Sequence, residues 1–129
     1  MAPYKFLLNI LTGKNIDKYG DGTSERDYTY IDDIIDGIIG SINLPIDNSN
    51  RIYNLGNNTT VNLNKFIETC ENICNKNAHI IHCNNQTGDV PKTYADISKS
   101  QRELNYYPKV NVEYGLTKLK EWLIQYKNL

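Results

Sequence analysis

Six isoleucines recur at helical spacing in one short segment, and they constrain the fold more than any other feature of the sequence. The spacing puts them on one face of a helix over Ile31–Ile42, because residues three and four apart are neighbours on a helix surface. Asp32, Asp33 and Asp36 fall off this stripe, and acidic residues in the first turns suit the positive end of a helix. The segment therefore predicts an amphipathic helix that needs a packing partner. The isoleucine stripe consists of Ile31, Ile34, Ile35, Ile38, Ile39 and Ile42.

Length and charge place the chain among small soluble proteins. It has 129 residues, 40% of them hydrophobic and 22% charged, and its net charge is -1. A chain of this length forms one domain with a single core. Lys and Arg are dispersed singly, so we expect neither nucleic acid nor a membrane as a partner. No apolar run approaches the roughly 20 residues of a transmembrane helix, and we expect a cytoplasmic protein.

Helical and extended segments alternate along the chain. Apolar spacing predicts four further helices, and β-branched or aromatic runs predict four extended segments. The helices cover Pro3–Leu11, Leu63 to about Lys76, Ile97–Leu104 and Val112–Tyr126, with Gly13 as a left-handed stop after the first. The extended segments cover Asn15–Tyr19, Arg26–Tyr30, Arg51–Gly56 and Ala78–Cys83. This order predicts a mixed α/β fold of helices and short strands.

Two of these helices have apolar stripes that predict the core. Asn62 is a suitable N-cap for the helix that begins at Leu63. The predicted inward residues of that helix are Phe66, Ile67, Cys70, Ile73 and Cys74. Those of the last helix are Leu116, Leu119, Trp122 and Leu123.

Cysteine and histidine residues cluster in the second half of the chain, and such a cluster can hold zinc. Its members are Cys70, Cys74, His79, His82 and Cys83. Their spacing does not match a zinc finger, and two histidines three residues apart on a strand point to opposite faces. Cys70 and Cys74 lie on an apolar stripe, where free cysteines behave as small hydrophobic residues. We therefore predict no metal site.

Two further motifs have structural interpretations that outweigh the functional ones. Tyr114 and Lys118 have the YxxxK spacing of a catalytic tyrosine and lysine, but no nucleotide-binding strand, turn and helix precedes them. Gly20–Gly22 lacks the third glycine of a dinucleotide-binding fingerprint. A calcium loop there would need oxygen ligands where Tyr19 and Tyr28 stand. We predict a surface helix for the first motif and a turn for the second.

Arg26 is the strongest candidate for a binding residue. It is the only arginine in the first fifty positions and stands between Glu25 and Asp27, after the glycine turn and before a predicted strand. A guanidinium in this position can hold a phosphate through two parallel hydrogen bonds. The residues alone leave open the alternative of a surface ion pair with a neighbouring acid.

Four motifs resemble the C-terminal half of extended short-chain dehydrogenase/reductase enzymes that act on nucleotide sugars. They are YGDGTSERDYTYIDDIIDGII, YNLGNN, GDVPKTYADISKSQRELNYYPKV and GLTKLKEWL, in the order found in the family. Within the family the sequence is most similar to UDP-glucuronate 4-epimerases. The resemblance implies that residues 1–129 form the C-terminal substrate-binding portion of such an α/β enzyme.

The resemblance also implies roles for individual residues in holding UDP. Arg26 matches the family arginine that binds the pyrophosphate, and Asp89 matches the acid that accepts hydrogen bonds from the ribose hydroxyls. Tyr19 ends the extended segment that lines the uracil and would form its aromatic wall. Gln86 stands where glucuronate epimerases commonly have glutamine and galactose epimerases a second arginine, and Tyr28 completes the implied substrate-binding set.

The same resemblance implies that this chain lacks the chemistry of the reaction. In the family, an N-terminal Rossmann domain binds NAD, and the YxxxK tyrosine and lysine act while the sugar passes through a 4-keto intermediate. We recognise none of these parts in the sequence, so we expect the Rossmann domain to be absent. We expect no catalytic residue, no NAD bound to this chain alone and no activity by itself. Met1 is expected to match an internal residue of longer relatives.

The partners that the resemblance implies are a UDP-sugar and a second protein surface. The helix that carries the isoleucine stripe packs against the nucleotide-binding domain in the family. We therefore expect a separate NAD-binding half as partner, or self-association through Ile31–Ile42. Two alternatives stay open: a fragment of a dTDP-sugar 4,6-dehydratase, and a non-catalytic UDP-sugar-binding or interaction module.

Overall fold

The computed structural model describes residues 2–45 and 50–129 and confirms the predicted α/β fold of helices and short strands. The helices are α1 (Ala2–Thr12), α2 (Ile31–Ile42), α3 (Leu63–Cys74), α4 (Ser98–Leu104) and α5 (Val112–Lys127). The strands are β1 (Asn15–Tyr19), β2 (Glu25–Asp27), β3 (Thr60–Asn62) and β4 (His79–Cys83). The expectation about Met1 lies outside the described residues.

The first sheet joins β1 to β4 in parallel. Asn15 lies opposite His79 at one end, and Tyr19 lies opposite Cys83 at the other. The pairing continues one residue further, because the Gly20 N–H donates to the Cys83 carbonyl at 2.9 Å. Since parallel strands run in the same direction, the chain leaves both at the same edge of the sheet.

The second sheet places β2 between two neighbours. β2 pairs antiparallel with β3, so that Arg26 lies opposite Val61. On its other edge, the Glu25 N–H donates to the Pro91 carbonyl at 2.8 Å, and the Thr93 N–H donates to the Glu25 carbonyl at 3.1 Å. The backbone of β2 is therefore held from both sides.

The main core lies between α1, α3, α5 and β1. Phe66 is at its centre, with its ring stacked on Tyr28 at a centroid distance of 4.5 Å and tilted against Phe6 at 5.9 Å. The buried members are Phe6, Leu7, Ile10, Ile16, Phe66, Ile67, Cys70, Cys74, Leu116 and Leu123. Cys70 and Cys74 are thus core residues, as predicted.

Asparagine and glycine define the ends of the helices. The Asn62 side chain accepts a hydrogen bond from the Lys65 N–H at 2.8 Å, which confirms the predicted N-cap of α3. Gly13 follows α1 with a φ of 69°, the left-handed conformation expected of a stop. Three further helices end at asparagines in the same conformation, Asn75, Asn105 and Asn128.

The inward face of α2 is polar and small. Asp33 is buried, and its carboxylate accepts hydrogen bonds from the backbone N–H groups of Lys109 at 2.9 Å and Val110 at 3.0 Å. Gly37 is buried against Leu55, since an added Cβ would come within 2.5 Å of a Leu55 methyl. A second apolar cluster lies beside this face and consists of Ile97, Leu104 and Tyr106.

The isoleucine stripe lies on the other side of α2 and faces away from both clusters. Ile34 is half-buried, and the other five side chains are between 43% and 73% exposed. The helix is therefore confirmed, and its apolar face is open within the described chain.

The strand predicted at Arg51–Gly56 is wrong. The segment is extended, but no strand lies beside it among the residues that the structure describes. Its backbone carbonyls are bonded by side chains instead: Lys99 Nζ donates to Ile52 at 3.0 Å, and the Ser100 hydroxyl donates to Asn54. Hydrogen bonds of this kind cannot be read from a residue pattern.

The strand predicted at Arg26–Tyr30 is shorter in the structure and begins one residue earlier. β2 ends at Asp27, so the extended prediction to Tyr30 is too long. Its partner is Thr60–Asn62, a three-residue strand that the sequence did not reveal. Strands this short carry too few residues to show an alternating pattern.

Trp122 corrects the predicted core of α5. Leu116 and Leu123 are buried as predicted and Leu119 is partly buried, but Trp122 is 46% exposed. Its ring stacks on Tyr126 at 4.6 Å and lies at the margin of the core. A large ring at the edge of a stripe can be covered by another ring without entering the core.

Candidate functional site

A cleft of about 390 Å³ opens where the chain leaves the paired ends of β1 and β4. It brings together three of the predicted binding residues, Tyr19, Gln86 and Asp89, from two distant parts of the sequence. We call it the strand-end cleft. Its lining residues are Tyr19, Asp21, Thr23, Ser24, Asn85, Gln86, Asp89, Val90 and Pro91.

The glycine turn shapes one wall of the cleft. Gly20 and Gly22 both have positive φ, 68° and 87°. A Cβ on Gly20 would overlap the Asn85 side chain, and one on Gly22 would overlap the Asn64 side chain. Only glycine fits both the backbone conformation and the available space. The turn predicted from GDG is confirmed.

Arg26 reaches the cleft from β2. Its Nη1 donates to the Glu25 carbonyl at 2.7 Å, and its Nη2 donates to the carboxylate of Asp89. Its partner is thus a distant acid on the cleft wall, whereas the alternative interpretation named a neighbour in sequence. Arg26, which is predicted to bind the phosphate, is therefore in direct contact with Asp89, which is predicted to bind the ribose.

Asp89 lies at the end of an exposed turn. The Asp89 N–H donates to the Gln86 carbonyl at 3.1 Å, and Gly88 has a φ of 86°. A positive φ at the third position is typical of a type II turn. This turn carries both Gln86 and Asp89 to the cleft, between the fixed ends of the segment at Cys83 and Pro91.

Two other carboxylates near the cleft are held ionised by local hydrogen bonds. The Lys92 ammonium, 2.7 Å from Glu25, and the Thr60 hydroxyl, at 2.6 Å, lower the pKa of Glu25. The hydroxyl and N–H of Thr23, at 2.6 and 2.9 Å, lower the pKa of Asp21. Both groups are therefore negative at neutral pH, and Asp21 adds a negative charge to the cleft wall.

Asp27 has a structural role that the sequence analysis missed. Its carboxylate accepts hydrogen bonds from the backbone N–H groups of Asn57 at 2.9 Å, Asn58 at 3.2 Å and Ala95 at 3.2 Å. It also borders a second, open cleft of about 450 Å³. The only signal in the sequence for Asp27 was its position next to Arg26, because backbone hydrogen-bond partners cannot be read from composition.

Tyr28 does not line the strand-end cleft. Its ring stacks on Phe66 and packs against the main core, and burial raises the pKa of its hydroxyl. Tyr28 directly follows β2 in the chain, but it lies outside the lining that contains Tyr19, Gln86 and Asp89.

The YxxxK motif does not line the cleft. Tyr114 and Lys118 are at the surface of α5, where Lys118 pairs with Glu121 at 2.9 Å. Among residues 2–45 and 50–129, no three metal-binding side chains come together. Within the same ranges, no helix is both long and apolar enough to span a bilayer.

Comparison with known proteins gives consistent matches over nearly the whole chain. The family model described as GDP-mannose 4,6 dehydratase matches residues 4–119. A UDP-glucuronate 4-epimerase of Thermodesulfobacterium geofontis is 38% identical over 95% of this chain and 37% of its own length. An uncharacterized protein of Methanocaldococcus jannaschii is 46% identical over 99% of this chain and 39% of its own.

Structural comparison leads to the same group. The crystal structure of UDP-glucuronic acid 4-epimerase from Bacillus cereus, in complex with UDP-glucuronic acid and NAD, matches with a TM-score of 0.91 and 30% identity. The match covers 98% of this chain and 40% of that chain.

Fold, cleft and matches together define a class, that of nucleotide-sugar epimerases and dehydratases. The chain belongs to the extended short-chain dehydrogenase/reductase family of these enzymes, and within it is similar to UDP-glucuronate 4-epimerases. It spans between 37% and 42% of the length of the first curated relatives that it matches.

Proposed function

We propose that this chain is the UDP-sugar-binding part of an NAD-dependent nucleotide-sugar epimerase of the UDP-glucuronate 4-epimerase type. The observation that carries the proposal is that Tyr19, Gln86 and Asp89 line one cleft and that Arg26 donates to Asp89 on its wall. They come from β1, β2 and the turn before Pro91, so only the folded chain brings them together.

Each residue at the cleft suits one part of a nucleoside diphosphate. The guanidinium of Arg26 provides charge-assisted donors for the diphosphate. The carboxylate of Asp89 provides acceptors for the ribose hydroxyls. Tyr19, 42% exposed at the end of β1, offers an aromatic surface to the base. We assign Tyr28 to packing against the main core, because its ring is stacked on Phe66.

We assign the bond-making steps of the reaction to a second unit. In this proposal residues 1–129 are the nucleotide-sugar-binding domain, and a Rossmann unit carries NAD, the catalytic tyrosine and the lysine. The isoleucine stripe provides an apolar surface for such a unit, since five of its side chains are exposed. Self-association through the same stripe is the alternative use of this surface. We place the protein in the cytoplasm.

Gln86 supports an epimerase of the glucuronate type over other members of the family. It lines the cleft on the same turn as Asp89. A neutral amide there leaves Arg26 as the cation at this end of the cleft, which distinguishes this site from one with two arginines. A dTDP-sugar 4,6-dehydratase is the second candidate enzyme, and a UDP-sugar-binding module without catalysis is the remaining alternative.

Replacing Arg26 tests the proposal directly. Arg26→Ala is expected to weaken UDP binding about tenfold or more, because hydrogen bonds to charged groups contribute about 1.5–3 kcal/mol. Dissociation constants are to be measured by calorimetric titration with UDP. Lys18→Ala removes a nearby surface charge, and Arg102→Ala removes an exposed arginine on α4.

Both control variants are expected to bind UDP within about twofold of the unchanged chain, since neither residue lines the cleft and charges at least partly exposed to solvent contribute little. If Arg26→Ala and the controls weaken binding equally, Arg26 does not hold the diphosphate.

A further inference from the structure

Arg26 and Asp89 bond to each other in this structure, although the proposed function gives each of them a different part of the substrate. Arg26 Nη2 donates to Asp89 Oδ1. A guanidinium offers two edges for bidentate binding, Nε with Nη2 and Nη1 with Nη2, and Nη2 belongs to both. Nη2 carries two N–H groups, one on each edge, and Asp89 accepts from one of them. A diphosphate that binds Arg26 on that edge therefore competes directly with Asp89.

The two partners differ in how firmly they are held. Arg26 lies on β2, whose backbone is bonded on both edges, and its Nη1 is bonded to the Glu25 carbonyl. Asp89 lies at the end of the turn from Gln86, in a run of exposed residues. The Arg26 side chain is 25% exposed and that of Asp89 50%. Asp89 is thus the partner that can move away when the pair opens.

The consequence of opening the pair depends on what the ligand brings. A bare anion such as pyrophosphate takes the guanidinium and leaves the Asp89 carboxylate close to a polyanion with no new donor. A nucleoside diphosphate also brings ribose hydroxyls, which can donate to the carboxylate that its phosphates displaced. Only the nucleoside diphosphate gives both Arg26 and Asp89 a new hydrogen-bond partner.

The charge of the cleft wall strengthens this difference. Among the described residues that line the cleft, there are two carboxylates, Asp21 and Asp89, and no lysine or arginine. Asp21 is fixed by two hydrogen bonds from Thr23. With Arg26 bound to Asp89, a free anion meets a wall of negative charge, and like charges at short range repel.

We propose that the Arg26–Asp89 pair is a selectivity device that favours nucleoside-linked diphosphates over bare anions. The identity of the ligand rests on the proposed function. Asp89 gains a second role in addition to binding the ribose hydroxyls. Asp89 occupies the guanidinium of Arg26 until a ligand arrives that carries both a diphosphate and a ribose. The diphosphate then binds Arg26, and the ribose hydroxyls donate to Asp89.

Asp89→Asn tests this role, because asparagine keeps the shape of the side chain and removes its charge. Pyrophosphate and uridine are to be titrated separately into the full chain, with binding followed by NMR shifts so that millimolar affinities are measurable. Asp17→Asn is the matched control, since it removes the same charge from an exposed ion pair with Lys5. Asp17 does not line the cleft.

We expect Asp89→Asn to bind pyrophosphate about fivefold more tightly, at the upper end of what exposed ion pairs contribute. We expect it to bind uridine about fivefold more weakly, because the ribose loses a charged acceptor. The control is expected to change neither affinity by more than about twofold.

Unchanged or weaker pyrophosphate binding in Asp89→Asn would overturn the selectivity role, and so would unchanged uridine binding. These outcomes are distinct from failure of the proposed function, which is measured by the effect of Arg26→Ala on UDP. A gain in pyrophosphate affinity supports the pair as a competitor for Arg26 even if UDP itself binds weakly.

Discussion

Helices α2 and α3 have the same length and comparable apolar stripes, yet they use them in opposite ways. α3 buries Phe66, Ile67, Cys70 and Cys74 in the main core. α2 buries Asp33 and Gly37 and exposes its isoleucines. An apolar stripe therefore identifies a helix, but it does not tell whether the stripe faces the chain's own core or another surface.

The inward face of α2 shows why the isoleucines point outward. Gly37 packs against Leu55, and an added Cβ on Gly40 would come within 2.8 Å of the Leu104 carbonyl oxygen. Such close contacts leave no room for branched side chains. Asp33 then bonds the chain that approaches α5. The α2 helix is fixed by small and polar contacts, and its apolar face is exposed among the described residues.

The largest expected effect is in α3. Phe66→Ala is expected to lower the free energy of unfolding by about 3–5 kcal/mol, because it removes a fully buried ring that contacts Tyr28 and Phe6. Urea denaturation followed by circular dichroism measures the change. Tyr107→Ala removes an exposed ring and is expected to change stability by less than about 0.5 kcal/mol. Equal losses would show that the α3 stripe is not the core of the chain.

A smaller effect is expected for the polar face of α2. Asp33→Ala leaves the Lys109 and Val110 N–H groups without their acceptor, and we expect a loss of about 2 kcal/mol. Asp32→Ala, one residue away and exposed, is expected to cost less than about 0.5 kcal/mol. The same urea series decides between them. A loss that is the same for both would mean that Asp33 does not fix α2.

The smallest effect on stability is expected for the isoleucine stripe. Replacing Ile35, Ile38 and Ile42 by serine is expected to change the free energy of unfolding by less than about 1 kcal/mol in total, since all three are largely exposed. The unchanged chain is expected to self-associate at high concentration, because exposed apolar patches of a few hundred Å² form interfaces. Sedimentation velocity should show less association in the triple variant. A strictly monomeric unchanged chain would contradict the use of this stripe as an interface.

Apolar periodicity predicted the helices. It failed for short extended segments, whose structure depends on individual hydrogen bonds. All five helices were predicted from apolar spacing, with Asn62 and Gly13 at their ends. The strand at Arg51–Gly56 was wrong because side chains of α4 bond its carbonyls, and β3 was missed because three residues show no pattern. Trp122 was wrongly predicted to be buried, because apolar spacing does not show where the buried part of the α5 stripe ends.

The candidate site was predicted as separate residues and not as a geometry. The motifs singled out Arg26, Asp89, Gln86 and Tyr19; the last three line one cleft, and Arg26 bonds to Asp89 on its wall. The bond between Arg26 and Asp89 joins residues 63 positions apart, and a contact of that range depends on the whole fold. For the same reason the packing of Tyr28, next to Asp27 in the same motif, against the main core could not be recognised.

We propose that the strand-end cleft binds the UDP part of a nucleotide sugar without the NAD-binding unit. The most direct measurement is calorimetric titration of the chain with UDP-glucuronate and UDP, with NAD as the control. We predict saturable binding of both UDP compounds and none of NAD. Failure of both UDP compounds to bind, or binding of NAD with equal affinity, would show that the strand-end cleft is not a UDP site by itself.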